Sequence, residues 1–395
     1  MGFAGVPESF GFADVPQSFA SSDLVVELAH VGLVLGTLTD LGLLVNRIEQ
    51  EDDVELGLSL LANLRDANDR AIVDLDALLA ELRRQIVARY GGWLPPMGKN
   101  RHVANVIGFP QPRSMAAVDP VPAPRPPRQE RQPGAGDGVR VGVVDTKLYP
   151  HPNLAGSYHA PDDAELHLAT DSPVPARAGH ATFVADLILA QAPAVDLEVR
   201  AVLGDDGKAT LWATVRKMAS LANSGVDVLN LSLGCRTSDG LPPLVLVRAV
   251  ERLRRHMLIV AAAGNHGGLV GMTNGVTFRS PTWPAALPDV VAVTAHDGAG
   301  GFAPFSPQLP WITCVAPGVD LVGAYLDATV ELSDSSQRRF AGYAQWSGTS
   351  FAAATVSGAI AARTVPGKVS PQEALQSLLD DPDPDPLVRR YVGPS

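Results

Sequence analysis

Cysteine is nearly missing from this chain, with only Cys235 and Cys314 in 395 residues. A disulfide framework is therefore excluded. Two free, buried thiols in a reducing compartment are expected rather than the single bridge that two cysteines allow. Basic runs are missing as well: 31 Lys and Arg against 42 Asp and Glu leave a formal net charge of −11. That balance argues against a nucleic-acid partner. No apolar run is long and clean enough to span a membrane. Residues 24–46 come nearest, but Glu27, His30 and Asp40 interrupt them, as do Gly32, Gly36 and Gly42. Residues 1–22 hold no Lys or Arg and no continuous apolar core, so nothing in them reads as a secretory signal and a cytoplasmic location is expected. What is present, 46% hydrophobic and 18% charged residues, describes a globular protein with a sizeable core. The length suits two domains, or one large domain with an extension.

Residues 2–10 and 11–19 form a tandem repeat, Gly-Phe-Ala-Gly-Val-Pro-Glu-Ser-Phe and Gly-Phe-Ala-Asp-Val-Pro-Gln-Ser-Phe. The segment 1–22 reads either as an extended arm that docks its Phe side chains or as a disordered tail. A small α+β domain is expected over 23–108. Val31, Leu33 and Leu35, then Leu41, Leu43 and Val45, alternate like two strands joined near Thr37–Asp40. From Asp66 to Tyr90 the apolar residues step by three and four, which predicts one long amphipathic helix ended by Gly91-Gly92. His102 to Gly108 is expected to add a strand. Eight prolines between Pro110 and Pro133 then mark an exposed, semi-rigid linker, placed at 109–137.

Beyond the linker, over 138–395, strand and helix patterns alternate, which predicts a parallel sheet with helices on both faces. Val139–Val144 is a buried strand ending at Asp145. His180 opens a helical run to Leu189. Strands follow at 196–202, 226–231, 257–263, 290–295 and 311–316, with helices at 211–224 and 244–256.

The stretch Gln345-Trp-Ser-Gly-Thr-Ser350-Phe-Ala-Ala-Ala is the most informative in the chain. Gly348 permits a turn, Thr349 and Ser350 can cap, and residues 351–363 hold six Ala and one Gly. A helix so poor in side chain can run through the middle of a protein with other backbones close around it. Ser350 then sits at a buried helix N-terminus, where free N–H groups favour developing negative charge. By itself this is equally an N-capped core helix. What decides is company: Asp145 ends a strand, Asn265 follows one, and His180 and Ser350 begin helices, so all four can meet at one edge of an open α/β sheet. Asp before His before Ser is one of the chain orders in which a nucleophile, base and orienting acid occur.

Residues of about 139–365 resemble the subtilisin-like serine peptidases. The resemblance rests on Val-Val-Asp145-Thr, His151-Pro-Asn-Leu154, Gly179-His180-Ala-Thr-Phe-Val-Ala185, Asn230-Leu-Ser-Leu-Gly234, Ala262-Ala-Gly-Asn265, Val315-Ala-Pro-Gly318 and Ser347-Gly-Thr-Ser350-Phe-Ala-Ala. It implies an endopeptidase of protein or peptide substrates, with Ser350 as nucleophile, His180 as base and Asp145 as its orienting acid. Asn265 is implied as an oxyanion donor, and Ser232, Leu233, Gly234 and Gly264 as peptide-binding positions. Phe278, just before Ser280-Pro-Thr-Trp-Pro284, either points its ring into the primary pocket and selects small side chains or is ordinary core. No cofactor is required and no metal ligand is assigned, although family members often carry structural calcium. Lys147, Ala181, Phe183, Asp186 and Ala354 depart from the family pattern without removing a catalytic group. His151, His256, His266 and His296 are expected at the surface or in loops, and 381–386 as a polar terminator. A catalytically weak binding module on the same fold is the competing reading. A lipase or esterase is disfavoured, because no Gly-x-Ser-x-Gly surrounds Ser350. The N-terminal domain either restrains the protease or recruits its substrate.

Overall fold

The structure, a computed structural model, describes residues 23–105, 119–127, 133–161, 172–269, 276–381, 383 and 387–393. The tandem repeat, most of the expected linker, the loop 270–275 and much of the 381–386 run lie outside the described residues.

The N-terminal domain is built from strands β1 (Leu24–Glu27), β2 (Glu49–Asp53), β3 (Leu58–Ala62) and β4 (Met97–Lys99), in the antiparallel order β2-β3-β1-β4. Helices α1 (Val31–Asp40) and α2 (Leu75–Arg89) complete it. Period-two burial sorts the strand side chains into two cores. Leu24, Val26 and Leu61 join Val34, Leu38, Leu79, Leu82 and Ile86 of the two helices. Val25, Leu58 and Leu60 face the other way, into the rest of the protein.

Three expectations fail here, one of them at Leu41–Val45, which is no strand but a turn leading into a short 3-10 helix. Val31–Leu35 is helical, not a strand: the buried positions are Val31, Val34, Thr37 and Leu38, a stripe stepped by three and four. The run is so rich in Leu and Val that either period fits it. The core under the sheet selects the helix, and the Thr37 hydroxyl returns to the Leu33 carbonyl at 3.0 Å. The second helix begins at Leu75 rather than near Asp66. Asp74 caps it by accepting from the Ala77 amide at 2.8 Å, while Asp66 folds a turn around the amides of Asn68 and Arg70.

β5 (His102–Asn105) leaves that domain and is taken up below. β6 (Val121–Pro122) belongs to the Pro-rich stretch and adds to the edge of a small sheet, β17 (Leu321–Ala324), β20 (Tyr343–Trp346), β6. The linker is thus tied to the main body of the protein at this point rather than free of it.

The large sheet has the order β21-β16-β15-β14-β12-β7-β10-β8. Its strands are β7 (Arg140–Asp145), β8 (Tyr158–His159), β10 (Asp196–Ala201), β12 (Val228–Leu231), β14 (Leu258–Ala262), β15 (Val290–His296) and β16 (Cys314–Pro317), all parallel, closed at one edge by antiparallel β21 (Arg389–Arg390). α3 (His180–Gln191) and α6 (Thr349–Arg363) join one apolar core of the sheet. α4 (Leu211–Ala219) and α5 (Leu244–Leu253) join the other, and α7 (Pro371–Leu379) follows α6. Short strands β9 (Val174–Pro175), β18 (Thr329–Glu331) and β19 (Gln337–Arg339) form a satellite sheet. β11 (Lys208–Thr210) and β13 (Leu233–Gly234) frame β5. Cys235 and Cys314 are free and buried, and burial pushes each thiol up to about 12. Among the described residues no helix is long and apolar enough to cross a membrane.

The small residues of α6 let it lie against α3 almost backbone to backbone. A Cβ on Gly358 would stand 2.6 Å from the Ile188 carbonyl oxygen and 3.0 Å from the Ile188 Cα. Backbone cannot yield as a side chain can, so Gly358→Ala is expected to destabilise the protein by about 2 kcal/mol despite the better helix propensity of Ala. Urea unfolding in a Ser350→Ala background checks this; an unchanged midpoint would contradict the close packing.

Candidate active site

Asp145 ends β7 and is fully buried. Its carboxylate accepts from the Thr146 amide at 2.7 Å and from His180 Nδ1 at 2.8 and 2.9 Å. His180 opens α3 immediately after Gly179, and there is no room for a side chain at that glycine: a Cβ would come 2.3 Å from the Tyr325 ring. Two rings that pack on each other lie against the imidazole, Trp346 edge-on at 5.6 Å and Phe351 at 5.4 Å. Because Nδ1 gives its proton to Asp145, Nε2 is the nitrogen left with a lone pair in the neutral ring.

Ser350 is the second residue of α6, at the helix N-terminus the sequence indicated. Its hydroxyl donates to the Ser232 carbonyl at 3.2 Å, and its own carbonyl accepts from the Ser232 hydroxyl at 2.8 Å. Behind them Asn230 donates to the Ser232 hydroxyl at 2.9 Å and accepts from Ser357 at 3.0 Å. Asn265 is oriented by Thr349, whose amide and hydroxyl donate to Asn265 Oδ1 at 2.9 and 3.0 Å. With Oδ1 so engaged, Nδ2 turns toward Gly348, where a Cβ would stand 3.3 Å from it. A peptide carbonyl reaching Ser350 would meet that amide and the N–H groups of the helix start.

β13, Leu233–Gly234, directly follows Ser232 and is paired. β5 lies antiparallel to it, Asn105 opposite Leu233 and Ala104 opposite Gly234. On its other side β5 pairs with β11, Val103 opposite Ala209. The Asn105 amide donates to the Gly207 carbonyl at 2.9 Å. Its side-chain nitrogen is 3.1 Å from Asp145 Oδ1 and 3.0 Å from His180 Nδ1. Nothing in the sequence around Asn105 set it apart. Thr146, Asn230 and Thr349 stand inside the matched motifs without an assigned role and Ser357 stands outside them, because their roles exist only through partners distant in the chain.

Gly264 has φ +109°, and a Cβ there would lie 2.6 Å from both His266 Nδ1 and Thr282 Oγ1. Phe278 is not core: it is 42% exposed, with the Arg279 guanidinium carbon 5.1 Å from its ring centre. One histidine also needs correction. His256 is exposed and His151 and His266 lie in loops, though buried, so only His296, the buried last residue of β15, departs from the expectation. Among the described residues no group of three or more His, Cys, Asp and Glu could hold a metal ion.

Residues 136–379 match the model of the subtilase family. The chain belongs to the subtilase family. It is a serine endopeptidase acting on protein or peptide substrates. Subtilisin BL and Subtilisin Savinase, both of Lederbergia lenta, are 31% and 30% identical to it over 239 residues, covering 57% of this chain and 76% of each relative. A solved structure, that of a serine-to-alanine mutant of the protease domain of PatA, is 28% identical with a TM-score of 0.49, covering 62% of this chain and 88% of that one.

His266, next to Asn265, is pushed down to about 3, first by burial and then by the Arg236 charge. Its Nε2–H donates to the Ser280 carbonyl at 2.8 Å, and buried Nδ1 has no partner among the described residues. The unfolded chain takes up this proton near pH 6.5, whereas the native ring resists it until about pH 3. The stability His266 permits is therefore complete above pH 6.5 and is lost as pH falls toward 3. Between pH 7 and 4.5 the loss is on the order of 3 kcal/mol. His266→Gln in the Ser350→Ala chain should shrink the stability difference between those pH values by about that amount, read by urea unfolding. An undiminished difference would contradict the buried neutral ring.

Proposed function

We propose that Ser350 is the nucleophile, His180 its base and Asp145 the group that orients and offsets the imidazolium, and that the N-terminal domain restrains this machinery by occupying its cleft. Ser350 Oγ gives its proton to His180 Nε2 as it attacks the peptide carbonyl. The carbonyl oxygen takes the negative charge, met by Asn265 Nδ2 and the Ser350 N–H. One such donor is typically worth about 2.7–4 kcal/mol of transition-state stabilisation. His180 then returns the proton to the leaving amine, and water repeats the cycle on the acyl-enzyme.

The observation that carries the restraint is the two-sided pairing of His102–Asn105 between β11 and β13, with the Asn105 side chain on the Asp145–His180 pair. An extended peptide gains affinity from such main-chain bonds, and one attached to the enzyme acts at high effective concentration. A recruiting domain would have no reason to fill the cleft itself. The rest of the domain supports the same reading. Val25, Leu58 and Leu60 are buried in one cluster with Trp212, Val215, Leu246 and Ala249 of α4 and α5. Around them Glu51 pairs with Arg216, while Glu27 pairs with Arg248 and Glu55 with Arg252, the last two at 2.8 Å. These pairs are solvent-exposed and worth little individually, so the apolar contact dominates.

Val103 is fully buried in that cluster, and Val103→Asp should eject the strand while leaving the enzyme's own residues intact. In the full chain this variant is expected to react with a fluorophosphonate probe at Ser350 at least about tenfold faster than the parent. Equal rates would contradict the restraint. Failure of both chains to react would contradict the role of Ser350.

A further inference from the structure

The Asn105 side chain sits in a slot that selects chemistry, not merely size. One wall is the Asp145 carboxylate, 3.1 Å from Asn105 Nδ2. A second is the His180 ring, with Nδ1 3.0 Å from the same nitrogen. The third is Gly207, where a Cβ would fall 2.3 Å from Asn105 Oδ1. Because His180 Nδ1 spends its proton on Asp145, the atom facing this corner must be a donor that Asp145 can accept. The amide nitrogen fits, and with the carboxamide turned over its oxygen would face a carboxylate. Asp145 Oδ1 thus accepts from the Thr146 amide, from His180 and from the occupant of the cleft.

The register gives the position. Asn105 stands opposite Leu233, so the next residue of any peptide bound this way stands opposite Ser232, whose carbonyl holds the Ser350 hydroxyl at 3.2 Å. The bond after that next residue is the one offered to Ser350. We propose that this slot is a specificity pocket for asparagine at the second residue on the amino side of the scissile bond, and that the enzyme's peptide substrates carry Asn there.

The proposal rests on the reading of Ser350 as nucleophile and of the β5 strand as a substrate mimic. The chemistry orders the competitors. Asp would bring a second carboxylate within about 3 Å of Asp145 and be repelled; Leu has the shape without the donor; Ala leaves the slot empty; Gln, one methylene longer, meets the wall at Gly207. A hydrogen bond to a charged, buried acceptor supports about 10- to 100-fold discrimination.

The test uses the full chain, incubated until fluorophosphonate labelling of Ser350 in withdrawn samples reaches a plateau, which counts active sites. An octapeptide with the sequence of residues 102–109 and its Asn→Ala, Asn→Leu and Asn→Asp replacements at the fourth place are then digested, and products are weighed by mass spectrometry. Expected is cleavage after the fifth residue, with kcat/KM about 10- to 100-fold higher for Asn than for Ala or Leu, and lowest for Asp. The Gly207→Ala chain, whose methyl intrudes where the carboxamide lies, is expected to lose the Asn-over-Ala preference. Absence of Ser350 labelling overturns the underlying reading and the pocket with it. Labelling together with equal rates for Asn, Ala and Leu, cleavage at another bond, or no cleavage overturns the pocket alone.

Discussion

The short ladder that His102–Asn105 forms with Lys208–Thr210 on one side and Leu233–Gly234 on the other is the constraint on which the rest of the molecule turns. Strand pairing has a period of two, so a slip of one residue would send every side chain to the opposite face. In the observed register Val103 is buried and Asn105 reaches the Asp145–His180 pair. The neighbouring register would remove both. The same ladder uses the main-chain groups that a substrate would need. One geometric choice therefore sets the N-terminal strand beside the Asp145–His180 pair, which is what the proposed restraint requires.

The catalytic side of that contact is held by close approach rather than by large side chains. Gly179 admits the Tyr325 ring, Gly318 the Ala295 methyl, and Gly358 the Ile188 carbonyl. These contacts set α3 and α6, and with them His180 and Ser350, against strands that end in Asp145 and lead to Asn265. Polar groups behind them are paired in depth: Asn230, Ser232 and Ser357 brace the turn at Ser350, and Thr349 fixes the carboxamide of Asn265. Buried polar networks of this kind specify one arrangement only when their members are satisfied. That satisfaction is incomplete at His266 Nδ1 and Thr282 Oγ1, around Gly264, and at Asn105 Oδ1, none of which has a partner among the described residues.

The parallel sheet and the four residues Asp145, His180, Asn265 and Ser350 were legible in the sequence, because each stands at a boundary between a buried strand or helix and a turn. Elements whose local pattern is ambiguous were not. Val31–Leu35 alternates as a strand would, yet it is helical, since its apolar density satisfies both periods and only the sheet above it decides. β2 is polar along its whole length, with four acidic residues and Gln50, and carries no apolar signal, as suits an edge strand. Phe278 was placed by its distance from Asn265, and a loop outside the described residues separates the two. Asn105 had no signature at all: its meaning comes from Asp145, forty residues away in sequence and 3.1 Å away in space.

If His102–Asn105 lies in the cleft as a substrate does, as proposed, Ser350 cuts the chain after Val106. The intact masses of the freshly prepared full chain and of its Ser350→Ala form, followed over time at the same concentration, test it most directly. The account expects fragments 1–106 and 107–395 to appear from the parent chain alone, with the Ser350→Ala chain staying whole. A parent chain that reacts at Ser350 with a fluorophosphonate yet never breaks after Val106, or breaks there equally in the Ser350→Ala form, would contradict it.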